Sequence, residues 1–297
     1  MKEPNLFLIG APKCGTTALA HNLAQHLEIY VPSQKEPRFF DKEIFYDDSK
    51  DYVIKNLEEY LLYYSSPEAK NSQYRLDASV FNMYSEEAIE NILRLSPEAK
   101  FIIILRDPVE ATISMFHQRF SSVEKKLREI SEDFQECWDS LEERKLGKSY
   151  PYACCNRFLF RYDLLYSYQD YVPYLKKRLG SQLLITFYED YKDNPKIFYK
   201  EIFHFLELDN IMIDNRQRNK SQILKNNILL QILYKISKWT FPLRKRLGIA
   251  GKFNIQKNVQ KKFQKEVNKK IQIAPRVYDF FAPSYAYLAK LKKDKKI

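Results

Sequence analysis

A segment near the amino terminus combines two glycines, a lysine and two threonines at a spacing suited to binding an anion. Residues Gly10 to Thr17 read Gly-Ala-Pro-Lys-Cys-Gly-Thr-Thr, which keeps the glycine spacing of a nucleotide-binding loop. The apolar run Asn5 to Ile9 precedes the loop, and Thr16 to Leu27 has leucines at helical spacing. Backbone N–H groups of such a loop, and of the helix after it, attract phosphate-like anions. We therefore predict a strand, an anion-binding loop and a helix.

The position of the lysine separates this loop from that of nucleoside triphosphatases. Those enzymes have a lysine directly after the second glycine, and the next hydroxyl holds Mg²⁺. Here Thr16 follows Gly15, and the lysine is Lys13, inside the loop. No apolar strand ends in an obvious metal-binding aspartate, since the central one ends in Leu105 and Arg106. A donor molecule that is bound without a metal ion and reacts at one bridging oxygen fits this loop better than a triphosphate. The alternative is that the segment is an ordinary strand-to-helix turn with no ligand.

Glycine is scarce in this chain, with 6 residues among 297. Two lie in the loop, and Gly248 and Gly251 lie beside Lys252 in a basic region. Because glycine lets a ligand approach the backbone closely, we expect Gly251 and Lys252 to help bind a nucleotide, and a solvated basic run is the alternative for Lys252. A helix end that uses glycine is the alternative for this second pair.

Short apolar runs alternate with helical segments along the chain. Besides the first strand, we predict strands at Glu28 to Val31, Tyr74 to Ala78, Phe101 to Leu105 and Leu183 to Tyr188. This alternation predicts an α/β fold, a P-loop-like three-layer αβα arrangement around a central, mostly parallel sheet. The tyrosine-rich stretch 162–174 would fill the core or line a pocket. We predict one domain over residues 1–297.

Charge divides the chain unevenly. Residues 216–297 contain 22 Lys and Arg against 3 Asp and Glu, a net charge of +19, whereas residues 1–215 have a net charge of −8. This asymmetry predicts a basic helical C-terminal lobe that seeks an anionic partner. Nucleic acid, an anionic membrane and a nucleotide with several phosphates all fit the composition.

The cysteines and histidines indicate neither a disulfide framework nor a metal site. Cys14, Cys137, Cys154 and Cys155 lack C-x-x-C spacing, and the four histidines lack the spacing of zinc sites. No signal peptide precedes the first strand, and no apolar run is long enough to cross a bilayer. We therefore predict a metal-free protein of the reducing cytoplasm.

Three motifs carry a resemblance to a known family. The loop reads Pro12-Lys13-Cys14-Gly15-Thr16-Thr17, Ser114 follows Arg106 by eight residues, and residues 35–41 read Lys-Glu-Pro-Arg-Phe-Phe-Asp. Together they resemble the sulfotransferases that use 3′-phosphoadenosine 5′-phosphosulfate (PAPS), in the heparan sulfate-type and related bacterial branch. The resemblance implies that the loop binds the 5′-phosphosulfate, and that Arg106 and Ser114 bind the 3′-phosphate. Arg38 departs from that branch, where a neutral residue or histidine is common.

The same resemblance implies a reaction. A sulfuryl group would move from PAPS to a hydroxyl, or an amine, of an acceptor such as a saccharide or glycolipid, leaving the nucleotide product PAP. Glu36 would be the general base, and Lys13 would neutralise the bridging oxygen. Without the resemblance, Glu36 is a solvated surface charge. His117 is either the alternative base or a partly buried helix residue, and Arg106 either binds the anion or pairs with a structural carboxylate.

Two other functions and one surface stay open. A P-loop kinase would need the missing lysine, and a basic nucleic-acid-binding module would bind with a steep salt dependence, although we expect no nucleic-acid partner. Residues 228–247 form a wide apolar stripe that ends in Arg244, Lys245 and Arg246. This stripe would either pack against the sheet or contact an anionic membrane.

Overall fold

The computed structural model describes residues 2–42, 44, 54, 56–122, 124–154, 156–214, 222–224, 264–266 and 271–295. The chain divides into two compact units. The first contains Met1–Thr112, Tyr162–Asn219 and Pro275–Ile297, and the second contains Ile113–Arg161 and Lys220–Ala274. The single domain and the basic lobe over residues 216–297 stay predictions.

A five-stranded sheet lies in the first unit. Its strands are β1 Leu6–Gly10, β2 Ile29–Tyr30, β3 Tyr74–Asp77, β4 Lys100–Leu105 and β5 Leu183–Phe187, in the order β2-β3-β1-β4-β5. Every neighbouring pair is parallel. The predicted strands are confirmed, with each end within one residue of its predicted position.

The central strands are buried on both sides. All five residues of β1 are buried, and so are Phe101 to Leu105 of β4. Because successive side chains of a strand point to opposite faces, both faces of the sheet are covered. The predicted α/β fold with a central parallel sheet is therefore confirmed.

Helices and short turns connect the strands. In chain order the α-helices are α1 Thr16–Leu23, α2 Leu57–Leu61, α3 Pro67–Asn71, α4 Glu86–Leu95, α5 Pro108–Phe120, α6 Phe134–Asp139, α7 Leu141–Lys145, α8 Tyr162–Leu165, α9 Tyr168–Leu179, α10 Tyr188–Asp193, α11 Pro195–Phe205, α12 Pro275–Phe280 and α13 Ala282–Asp294. Short 3₁₀ helices are Leu62–Tyr64, Asn82–Tyr84, Lys125–Leu127, Arg157–Phe160 and Gly180–Gln182. Helix α5 begins in the first unit and ends in the second.

The first helix is shorter than its sequence pattern predicts. We expected a helix from Thr16 to Leu27, but α1 ends at Leu23. His26, three residues after the end of α1, forms a hydrogen bond through Nε2 with the backbone oxygen of Asp209 at 3.1 Å. Leu27, counted as the last apolar position, is 93% exposed. The predicted end was wrong because a tertiary contact overrides the leucine spacing.

The second unit contains a buried ion pair. Arg144 donates to both carboxylate oxygens of Glu129 at 3.0 and 2.7 Å, and neither side chain is exposed. Arg144 also donates to the backbone oxygens of Ser149 and Phe160, at 3.1 and 2.9 Å. In the same unit, strands β6 Gln222–Leu224 and β7 Gln264–Glu266 form an antiparallel pair.

Candidate active site

Several predicted site residues follow the carboxyl ends of the parallel strands. In a parallel sheet these ends meet at one edge, where α/β proteins bind their ligands. Strand β1 leads into the loop that starts at Gly10, and β4 leads into Arg106. Strand β3 ends at Asp77, and β5 is followed at once by Tyr188. The topology therefore brings four loops to the edge where the sequence predicts the nucleotide.

The loop after β1 has the backbone of an anion site. Lys13 and Gly15 have left-handed conformations, with φ of 65° and 92°, which turns nearby N–H groups towards one concave side. Helix α1 starts at Thr16, and no described side chain caps it. A Cβ atom at Gly15 would lie 2.9 Å from the ring of Tyr188, and one at Gly10 would overlap Met83. At both loop glycines a neighbouring side chain thus lies too close for a Cβ atom, and the approach of a ligand to this backbone stays a prediction.

Buried tyrosines donate hydrogen bonds to the backbone of the loop and of Arg106. Tyr166 Oη donates to the backbone oxygen of Pro12 at 3.2 Å, and Tyr168 Oη donates to that of Arg106 at 3.0 Å. Both side chains are fully buried. The tyrosine-rich stretch therefore fills the core, and two of its hydroxyl groups also fix the backbone of the candidate site.

Cys14 lies in the loop, but its side chain points into the protein. The thiol is fully buried, and Sγ lies 3.7 Å from Tyr168 Oη. Burial raises the pKa of Cys14 to about 12, so this residue remains a neutral thiol in the physiological range. Of the two threonines, Thr16 is buried and Thr17 is exposed. Any ligand contact from Cys14 would therefore come from its backbone.

Arg106 contacts the loop directly. Its Nη1 donates to the backbone oxygen of Lys13 at 3.2 Å, and its Cζ lies 4.6 Å from the centre of the Tyr188 ring. Its Nε and Nη2 donate to Glu110 Oε2 at 3.2 and 2.7 Å. The structure thus brings Lys13 and Arg106 together. It also contains the alternative partner that the sequence left open, a carboxylate one helical turn away.

The start of helix α5 matches the sequence prediction. Asp107 Oδ1 accepts a hydrogen bond from Glu110 N at 2.9 Å, and Pro108 is the first helical residue. Ser114 and His117 follow on the same helix, in the second unit, and both are half-buried. The ring of His117 lies 5.6 Å from that of Phe116. The roles of Ser114 and His117 stay predictions.

Glu36 lies in a loop that is fixed to the end of β3. Lys35 Nζ lies 2.6 Å from Glu36 Oε1, and the backbone oxygen of Lys35 accepts from Ala78 N at 3.1 Å. Arg38 has a left-handed φ of 59°, and its backbone N–H donates to Ser79 Oγ at 3.0 Å. These bonds hold Glu36 at the sheet edge that also carries the anion loop.

Sequence reasoning missed a carboxylate at the end of a strand. Asp77 closes β3, whose sequence Tyr-Arg-Leu-Asp is not an apolar run, and its side chain is fully buried. Its carboxylate accepts from Tyr60 Oη at 2.6 Å and from Ser79 N at 2.8 Å. Burial raises the pKa of Asp77. Asp77 therefore fixes the turn beside Glu36, and the described residues contain no group of three or more His, Cys, Asp or Glu that could hold a metal ion.

A second missed carboxylate is Asp41, which follows Glu36 in the same motif. Its side chain is 1% exposed, and Oδ2 lies 3.8 Å from Arg38 Nε. Burial raises the pKa of Asp41 to about 7, the positive charge of Arg38 lowers it, and Asp77 and Glu36 raise it further. The neighbouring pair Phe39 and Phe40 was the sequence signal for this burial, because adjacent aromatic residues tend to pack into a core.

Some predictions fall on residues that the structure does not describe. Gly248, Gly251 and Lys252 lie outside the described residues, as does the whole stripe at 228–247. In the part of the chain that is described, no helix combines the length and the apolar character needed to cross a membrane.

Comparison with known proteins identifies the family. Residues 3–275 match the sulfotransferase domain family. Carbohydrate sulfotransferase 15 of Mus musculus is 27% identical over 249 residues, which cover 69% of this chain and 44% of that protein. Bifunctional heparan sulfate N-deacetylase/N-sulfotransferase 4 of Mus musculus is 32% identical over 117 residues, which cover 39% of this chain and 13% of that protein. The chain thus spans less than half the length of these curated relatives.

A solved structure shows the same fold. The crystal structure of a sulfotransferase from Alicyclobacillus acidocaldarius has a TM-score of 0.61 and 24% sequence identity. The alignment covers 80% of this chain and 92% of that chain. The match over residues 3–275 confirms the resemblance drawn from the three motifs, and the chain belongs to the sulfotransferase domain family.

Proposed function

We propose that this chain is an enzyme that transfers the sulfuryl group of PAPS to a hydroxyl, or an amine, of an acceptor. The observation that carries the proposal is the contact between the two elements predicted to bind the donor. Arg106 Nη1 donates to the backbone oxygen of Lys13 at 3.2 Å, so the arginine is held against the loop. The 5′-phosphosulfate and the 3′-phosphate of one nucleotide would therefore share a single site. Membership of the sulfotransferase domain family supports this reaction.

The residues of the loop fit this anionic donor. The left-handed conformations of Lys13 and Gly15 favour a concave array of N–H donors, and the start of α1 adds the positive end of a helix dipole. Lys13 and Arg106 add two cationic side chains for the two anionic ends of PAPS. PAPS itself supplies an activated sulfuryl group, so the chain needs to provide charge neutralisation and a base.

Two side chains would share the chemistry. Glu36 would take the proton that the acceptor hydroxyl loses as its oxygen bonds to sulfur. Lys13 would meet the negative charge that develops as the bond between sulfur and the 5′-phosphate oxygen breaks and its electron pair leaves with PAP. One S–O bond forms and one breaks, and the sulfuryl group changes carrier without redox chemistry.

Access and rigidity support Glu36 as the base. Its side chain is 30% exposed, so an acceptor can reach the carboxylate. The hydrogen bond from Ala78 N to the backbone oxygen of Lys35 at 3.1 Å holds the loop, and Lys35 Nζ at 2.6 Å orients the carboxylate. Fixed geometry of this kind favours proton transfer. His117 is the alternative base.

The relatives support a saccharide as the acceptor. The names of two of them refer to carbohydrate and to heparan sulfate. We therefore propose that the acceptor of this chain is a saccharide or a glycolipid. We also propose that the protein is cytoplasmic, that residues 228–247 contact an anionic membrane peripherally, and that nucleic acid is not a partner.

A ligand panel and a transfer assay test the proposal. Thermal unfolding in 3′,5′-ADP (the product PAP), AMP or ATP with Mg²⁺ should show the largest stabilisation with 3′,5′-ADP, because at equal concentrations the ligand with the lowest Kd stabilises the folded state most. Labelled sulfate should then move from PAPS to at least one saccharide of an acceptor panel. A preference for ATP with Mg²⁺, or stabilisation by AMP equal to that by 3′,5′-ADP, would contradict the proposed donor.

A further inference from the structure

Helix α13 lies beyond the region that matches the family, yet it reaches the candidate donor site. The match ends at residue 275, which is the first residue of α12, and α13 follows. Leu288 and Leu291 anchor α13, since they are 8% and 5% exposed. The first turn of α13 instead presents two hydroxyl groups, those of Ser284 and Tyr285, to polar partners in the first unit.

Ser284 fixes the segment that supports the loop. Its side chain is 1% exposed, and Oγ donates to the backbone oxygen of Tyr166 at 3.0 Å. The same Oγ lies 2.7 Å from Gln169 Oε1. Tyr166 in turn donates through its own hydroxyl to the backbone oxygen of Pro12. A continuous hydrogen-bonded path therefore leads from α13 to the anion loop.

Tyr285 fixes the segment that carries the arginine. Its Oη lies 3.0 Å from each carboxylate oxygen of Asp107, and the hydroxyl donates to that carboxylate. Asp107 caps α5 by accepting from Glu110 N, and Glu110 holds the guanidinium of Arg106 at 2.7 Å. The orientation of Arg106 thus depends on a cap whose carboxylate is held by Tyr285.

The Tyr285 hydroxyl is a stable donor in this position. Burial raises the pKa of Tyr285, and the negative charge of Asp107 raises it further. The phenol therefore stays protonated and can donate in the physiological pH range. Asp107 is also held from its backbone side, since its N–H donates to Glu189 Oε1 at 3.1 Å.

From these contacts we infer that Tyr285 and Ser284, outside the matched family region, are positioning residues of the donor site. Tyr285 acts through Asp107 on Arg106, and Ser284 acts through Tyr166 on the loop. The inference rests on the proposed function, because it assumes that Arg106 binds the 3′-phosphate of the nucleotide. It predicts that the C-terminal helix contributes to nucleotide affinity and to recognition of the 3′-phosphate.

Calorimetry on the full chain tests the role of Tyr285. Tyr285→Phe removes only the hydroxyl and should weaken 3′,5′-ADP binding about tenfold, as expected for one hydrogen bond to a charged group. AMP, which lacks the 3′-phosphate, should bind as it does to the wild type. At saturating PAPS, kcat should stay unchanged while KM for PAPS rises. Tyr287→Phe, on the same helix and also half-buried, is the matched control and should leave both affinities unchanged.

A double-mutant cycle separates positioning from general stabilisation. In an Arg106→Ala background, Tyr285→Phe should have no further effect on 3′,5′-ADP affinity, because its effect passes through that arginine. An undiminished effect in this background, or a lower melting temperature with unchanged affinity, would overturn the inference. Failure of the proposed function has a different signature, since the wild-type chain itself would then bind 3′,5′-ADP no more tightly than AMP.

Discussion

Replacement of Asp41 by asparagine should change how the stability of the protein depends on pH. Asp41 is 1% exposed, and burial raises its pKa from 3.8 to about 7. In the unfolded chain this carboxyl loses its proton near pH 4, whereas in the folded chain it keeps the proton until about pH 7. The folded state therefore binds more protons across this window, and its stability falls as the pH rises from 4 to 7. Above pH 7 both states are ionised, so the loss is complete.

The size of the effect follows from the two pKa values. With the folded pKa at about 7 and the unfolded pKa at 3.8, the free energy of unfolding attributable to Asp41 falls by about 2.5 kcal/mol between pH 5 and pH 8. Asparagine has nearly the same shape and does not titrate. The free energy of unfolding of Asp41→Asn, relative to that of the wild type, should therefore increase by about this amount between pH 5 and pH 8.

Urea unfolding at pH 5, 6, 7 and 8 measures this difference, with the free energy of unfolding extrapolated to water. Asp193→Asn is a suitable control because Asp193 is exposed, and it should follow the wild type at every pH. A constant difference between wild type and Asp41→Asn from pH 5 to pH 8 would refute the reasoning. It would mean that Arg38, at 3.8 Å, compensates the buried charge fully.

Further substitutions test the site and the second unit. Lys13→Ala should lower kcat about 10²–10³-fold at an unchanged melting temperature, and normal transfer of labelled sulfate would contradict its role. Glu36→Gln should lower turnover about 10²–10⁴-fold with unchanged 3′,5′-ADP affinity by calorimetry. A loss of turnover in His117→Ala but not in Glu36→Gln would reverse the assignment of the base. Arg144→Met leaves Glu129 buried without its guanidinium partner, so urea unfolding should show a loss of about 3–5 kcal/mol, against little change for the double variant Arg144→Met with Glu129→Leu.

Local patterns were sufficient to predict the sheet and the strand–loop–helix unit formed by β1, the loop after it and α1. Phe101 to Leu105 is apolar throughout, as expected for a strand buried on both faces, and Gly10 and Gly15 mark the loop between β1 and α1. The cap by Asp107 was equally readable, because its partner lies three residues away. In each case the interaction that decides the structure is close in sequence.

Contacts between distant segments were not readable in the same way. Tyr285 meets Asp107 across 178 residues, and Tyr166 meets Pro12 across 154. A tyrosine that supports a functional loop has the same sequence signature as one that fills the core. The burial of Asp77 could not be predicted either, because its partner Tyr60 lies 17 residues earlier in a separate helix, and no sequence pattern relates that helix to β3. Only the folded chain brings these pairs together.

The charge asymmetry of the chain has a partly internal explanation. The excess of positive charge after residue 215 predicts binding to an external anion. In the structure, however, some lysines of the C-terminal segment form ion pairs with acidic residues among the first 215 residues. Lys292 Nζ lies 3.6 Å from Glu189, and Lys295 Nζ lies 2.7 Å from Glu201 and 3.7 Å from Asp190. Such exposed pairs add less than ~1 kcal/mol each to stability.

Their effect on the local potential is more consequential than their effect on stability. Glu189 lies beside the donor site, where its Oε1 accepts from Asp107 N while Lys292 approaches Oε2. An uncompensated carboxylate there would repel the anionic donor of the proposed reaction. The same helix also supplies the hydroxyl that holds the Asp107 carboxylate. Helix α13 therefore offsets negative charge at the edge where Lys13 and Arg106 meet, which favours the anionic donor of the proposed reaction.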